Sequence, residues 1–117
     1  MRTAQEIFDT VVKHLRQQGK LALSLDGYTC AYRGADGTKC AVGVLIPDEL
    51  YSSKMEGYNL NNLMARNVIP SPLKEEFEAN LPLLVRLQNV HDVRDVAGFE
   101  RGFQDVATAF NLQYTAP

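Results

Sequence analysis

Tryptophan is absent from this chain of 117 residues, and it holds only two cysteines and five prolines. Two cysteines are too few to staple a secreted disulfide scaffold, so the fold must rest on an apolar core. No apolar run approaches the roughly 18 residues that span a bilayer, which argues against a membrane partner. Charge of one sign is not in excess either. Twelve basic residues against fourteen acidic ones leave a net charge of −2. Nucleic-acid binders of this size usually carry a basic surplus, so nucleic acid is a disfavoured partner. The chain has no P-loop and no G-x-G-x-x-G, G-x-S-x-G or H-E-x-x-H pattern. No cofactor is expected.

What is present is ordinary globular material, 45% hydrophobic and 22% charged, without repeats or low-complexity tracts. Residues 1–117 are therefore read as one domain. Met1-Arg2-Thr3-Ala4-Gln5-Glu6 runs directly into an amphipathic pattern and has no apolar signal core, which points to the cytoplasm and to reduced thiols. Thr3 and Glu6 form an S/T-x-x-E capping box. Ile7, Val11 and Leu15, flanked by Phe8 and Val12, then form one apolar stripe, and Gly19 suits the position just past a helix end. A helix over 4–18 follows.

The next twenty residues lose that period. Leu21, Leu23 and Leu25 alternate with Ala22, Ser24 and Asp26, and two turn signals, Asp26-Gly27 and Gly34-Ala35-Asp36-Gly37, bracket Tyr28–Arg33. A hairpin or an irregular loop fits equally. In a hairpin, a three-residue loop 34–36 would set Cys30 opposite Cys40. The commoner two-residue Asp36-Gly37 turn would set Cys40 opposite Arg33. The disulfide needs the less favoured register, so buried thiols are expected. The apolar run Cys40–Ile46 reads as a short buried helix.

From Asp48 the pattern is helical. Leu60, Leu63 and Met64 mark a helix opened by Asn59 or Asn61. Ser71-Pro72 suggests an N-cap followed by proline in the first turn. Another helix begins near Leu81 and reaches His91, with Leu84, Leu87 and His91 on one face. Asp95 can cap a last helix carrying Val96, Phe99, Phe103, Val106 and Phe110. Gly98 and Gly102 lie beside that stripe and permit close packing. The fold class is mainly α, a bundle of about five helices with a small irregular or hairpin insertion, or α+β if 28–42 forms a true hairpin.

Candidate chemistry concentrates between Tyr28 and Tyr58. Tyr28, Tyr32, Arg33, Lys39, Asp48, Glu49, Tyr51 and Glu56 make a surface rich in the residue types that dominate binding hot spots. Tyr32 and Arg33 are expected at a loop tip, where they would contribute to a partner and little to the core. Cys30, Cys40, His14 and His91 lack metal-ligand spacing, so no metal is expected. His91-Asp92 has sharper readings, as part of a divalent-metal phosphohydrolase or as a nucleophilic site with Cys40 or Cys30. Against these, Cys40 lies in an apolar run that raises a thiol's pKa, and a lone histidine on an apolar face is ordinarily structural.

Cys30-x-Tyr32-Arg33-Gly34, Gly37-x-Lys39-Cys40-Ala41-Val42-Gly43, Ile46-Pro47-Asp48-Glu49, Met55-Glu56-Gly57 and Leu87-Gln88-x-Val90-His91-Asp92 together resemble small uncharacterised proteins of tailed phages and their bacterial hosts. About twenty residues carry the resemblance. It implies a helical Cys-Ala-x-Gly segment and a small accessory protein acting in the host cytoplasm, without implying any catalytic residue. Three functions are open. One is a non-enzymatic protein that binds a host macromolecule or signalling ligand through Tyr28–Tyr58. The second is a small Cys/His-dependent hydrolase using Cys40 or Cys30 with His91 and Asp92. The third is a cyclic-nucleotide sponge, with tyrosines stacking on bases while Arg33 and Lys39 meet phosphates. The oligomeric state is open.

Overall fold

Helix α1, Ala4–Gln18, begins where its capping box predicts. Glu6 N–H donates to the Thr3 hydroxyl at 3.1 Å, and Thr3 N–H donates to the Glu6 carboxylate at 2.9 Å. Gly19 ends it at φ +65, a left-handed conformation that costs glycine little. The predicted stripe of Ile7, Phe8, Val11, Val12 and Leu15 is buried.

The computed structural model describes residues 1–27, 30–92 and 96–117. Tyr28 and the expected cap Asp95 lie outside the described residues. Among those described, four further α-helices follow, α2 Leu60–Ala65, α3 Leu73–Ala79, α4 Leu81–Asp92 and α5 Phe99–Phe110. Single 3-10 turns precede them at Ala35–Gly37, Gly43–Leu45, Asp48–Leu50 and Ser53–Met55. The molecule is a mainly α bundle. None of its described helices is long and apolar enough to cross a membrane.

Helix α4 is the hub, packing against α1, α2, α3 and, most extensively, α5. Leu84, Leu87 and His91 are buried on the face that their spacing indicates. Against α4, α5 presents Phe99, Phe103, Val106 and Ala107, all buried. Gly102 permits the approach, since a Cβ there would lie 2.8 Å from Val90. Val96, expected to start the last stripe, is instead 39% exposed in a separate 3-10 turn, Val96–Gly98.

Three local expectations are corrected. The insertion contains only isolated bridges, Leu23 with Cys30 and Arg33 with Lys39. Its register sets Cys40 opposite Tyr32, with Cys40 N–H donating to the Tyr32 carbonyl. Neither register weighed above occurs, because Asp36 and Gly37, at φ 60 and 73, close the loop over Ala35–Gly37. The cysteines are not bridged to one another. The run 40–46 is buried and turns helically, but as the 3-10 turn Gly43–Leu45 rather than a longer helix. Ser71 does not cap α3. Pro72 takes the N-cap position, and the Ser71 hydroxyl donates to the Glu75 carboxylate at 2.6 Å.

Candidate functional site

Residues 85, 88, 89 and 92 recur at helical spacing, so Val85, Gln88, Asn89 and Asp92 share one face of α4. That face forms one wall of a cleft of about 400 Å³. Cys30–Tyr32 and the stretch Glu56–Asn61, which leads into α2, form the rest of it. Asn59 caps α2 by accepting the Asn62 N–H at 2.8 Å, and Asn61 is exposed on its first turn.

The polar wall is held in place. Gln88 accepts the Val42 N–H through its oxygen at 3.0 Å and donates through its nitrogen to Asp92 at 2.8 Å. Behind Asp92, the fully buried His91 accepts the Ala22 N–H on Nε2 at 2.9 Å. A backbone N–H can only donate, so the ring proton must sit on Nδ1, where it is donated to Asp92 at 3.0 Å. The ring also stacks on Phe99 at 6.5 Å.

This arrangement limits what the cluster can do. Cys30 Sγ, a ring nitrogen of His91 and an Asp92 oxygen lie within 4.8 Å of one another, close enough to suggest a cation site. Nδ1 carries a proton, however, and Nε2 is committed to Ala22, so the imidazole offers no lone pair to a metal or to a thiol proton. Cys40 is a poor nucleophile for a separate reason. It is fully buried, and burial pushes its thiol up to about 12.

The residues singled out between Tyr28 and Tyr58 fall into two groups, and most of them are tied to one another. Tyr32 is only 6% exposed, and its hydroxyl donates to the Tyr58 carbonyl at 2.7 Å. Burial raises its phenol well above the ordinary value. Glu56 accepts the N–H groups of Tyr32 and Arg33 at 3.0 and 3.1 Å, and the Tyr51 hydroxyl at 2.6 Å. Burial, assisted by that bond, moves the Tyr51 phenol up to about 12. The Arg33 guanidinium lies 4.9 Å over the Tyr51 ring and donates to Asp48 at 2.6 Å and to the Ile46 carbonyl. The Arg33 hydrogen bond, with Lys39 at 3.5 Å adding charge, holds the Asp48 carboxyl below its usual range. Tyr32 and Arg33 are thus not a loop tip. They fasten the segment 46–58 to the insertion.

Of the described members of that set, only Tyr32 and Glu56 reach the cleft, while Arg33, Lys39, Asp48 and Tyr51 do not line it. Glu49 is exposed on the 3-10 turn Asp48–Leu50 and does not line it either. The residues that reasoning from sequence missed are the carboxamides Asn59, Asn61, Gln88 and Asn89. For Gln88 and Asn89 the only signal was their sharing, with Asp92, a face of α4 beside the apolar one, and Asn59 and Asn61 were legible only as helix-capping residues. Compared with protein-family models, curated proteins and solved structures, the chain finds no match in any of the three.

Proposed function

We propose that this chain is a small non-enzymatic binding protein, of the phage-accessory kind that its sequence resembles, acting in the host cytoplasm. Its recognition site is the cleft between Cys30–Tyr32, Glu56–Asn61 and the polar face of α4. One observation carries the reading. The cleft is concave, lined by fixed polar groups and braced from behind, while the histidine that a nucleophilic Cys30 or Cys40 would need as its base is committed elsewhere. Cys40 is sealed in the core, and both ring nitrogens of His91 are occupied. Concave sites with a few fixed polar groups are the usual form of small-ligand and side-chain pockets. The cyclic-nucleotide reading loses its phosphate contacts, since Arg33 and Lys39 turn to Asp48.

Filling the cleft tests this. Asn61→Trp places a large ring at an exposed cleft position without touching the core. Leu25→Asp alters a 95% exposed residue outside the cleft. Both variants should melt as the parent does. Native mass spectrometry of protein recovered from bacterial cells should show a bound species with the parent and Leu25→Asp, and none with Asn61→Trp. A species retained by Asn61→Trp, or lost from Leu25→Asp, overturns the assignment.

A further inference from the structure

Among the described residues, the charges that line the cleft have one sign. Its lining includes two carboxylates, Glu56 and Asp92, and no lysine or arginine among the described residues. Arg86, next to Val85 on α4, lies in a different pocket with Val90 and Gly102, and three further cations close to the lining are paired. Arg33 and Lys39 meet Asp48, and the Arg66 guanidinium lies 4.3 Å over the Tyr58 ring. The rest of the described polar lining consists of carboxamides, two tyrosines and a thiol, and none of these adds positive charge. Asp92 is also pre-positioned, because Gln88 and His91 both donate to the same oxygen at 2.8 and 3.0 Å. An acceptor fixed in this way loses little side-chain freedom when a ligand arrives.

We infer that the cleft takes a cationic group, a guanidinium or an ammonium, held by Asp92 with Glu56 and the neighbouring carboxamide oxygens. This rests on the reading of the cleft as the recognition site and names the charge of its ligand. Among the described lining residues an anion would instead meet two carboxylates and no cation, an arrangement that suppresses wrong partners by like-charge repulsion. The same chemistry can come from a free polyamine or from a basic side chain of a partner.

Three probes separate these possibilities by amide chemical-shift mapping of the full chain. They are spermidine, N-acetyl-arginine amide and adenosine monophosphate. One or both cations should shift the amides of Cys30, Asn61 and Asn89, with an affinity that falls as salt rises. A response to spermidine alone assigns a free amine, and a response to the arginine derivative alone assigns a partner's side chain. Asp92→Asn should weaken the responding cation by about fivefold, the worth of one partly exposed ion pair. Because Asp92 also braces His91, Asn89→Lys supplies a second variant at an exposed position, and it should abolish cation binding while the melting temperature holds. Binding of adenosine monophosphate in place of either cation overturns the charge assignment and leaves the cleft standing. Silence from all three overturns the cation, and the Asn61→Trp experiment then decides the cleft itself.

Discussion

His91 Nε2 accepts the buried N–H of Ala22 at 2.9 Å, across 69 residues of chain. One hydrogen bond thereby ties the end of α4 to the start of the insertion and settles which ring nitrogen carries the proton. His91→Phe should keep the stack on Phe99 but strand the Ala22 amide, costing about 1–3 kcal/mol. His91→Ala adds a cavity and should cost more. Denaturant midpoints of the parent and the two variants check the order, and a His91→Phe midpoint equal to the parent's would mean that the hydrogen bond contributes nothing.

Gly43 and Gly102 should differ sharply on substitution. A Cβ on Gly43 would sit 2.0 Å from the Tyr32 carbonyl oxygen, part of a backbone that cannot step aside. Gly43→Ala should therefore cost about 3 kcal/mol or more. At Gly102 the obstacle is the Val90 side chain, and alanine's better helix propensity offsets part of the strain. Gly102→Ala should cost less than about 1 kcal/mol. Thermal melts decide the ranking.

Arg2 and Glu76 predict the acid limit. Burial works to raise the Glu76 carboxyl, but the Arg2 hydrogen bonds and charge outweigh it and leave it below its usual value. Glu100 is lowered in the same direction, chiefly by its hydrogen bond to Arg16. A carboxyl lowered on folding contributes its full stability above the unfolded value, about 4.3, and loses it as pH falls through the folded value. Stability should accordingly be flat at neutral pH and drop below about pH 4. The Glu76 side chain is only 5% exposed, so Arg2→Met, which leaves it without its ion-pair partner, should cost about 3 kcal/mol at pH 7. It should also flatten the acid drop, as urea titrations at pH 7 and pH 3 would record.

The two thiols should react at different rates. Cys40 is fully buried with its thiol moved up to about 12, whereas Cys30 is half-buried in the cleft wall. With a thiol reagent at pH 7.5, Cys30 should be labelled first and Cys40 only on unfolding. Peptide mass mapping over time follows this, and prompt labelling of native Cys40 would contradict its burial.

Local signals made much of the frame readable in the sequence. The Thr3–Glu6 box and Gly19 bound α1 because capping acts within one turn of chain. Leu84, Leu87 and His91 declared a buried face through their period. What stayed hidden depends on distant partners. Tyr32 and Arg33 look like exposed loop residues until Glu56, more than twenty residues on, reaches back to their amides. Nothing near them in the chain announces that cover. The hairpin register was hidden because it rests on Asp36 adopting a left-handed conformation that asparagine and aspartate tolerate but do not require. The cleft combines three segments, and its α4 wall carries carboxamides, which lack the ionisable signature that draws attention to a site.

Glu56 has one more consequence. Two successive amides converging on one carboxylate form the kind of concave backbone nest that binds free anions elsewhere. In this chain the nest is filled from within, at 3.0 and 3.1 Å. Truncating the side chain would empty it and leave a space shaped for a small carboxylate. Glu56→Ala should therefore lose about 1–3 kcal/mol and then recover part of it in formate or acetate, which would leave the parent protein unmoved. A variant indifferent to both anions would mean that the carboxylate holds the segment through Tyr51 alone.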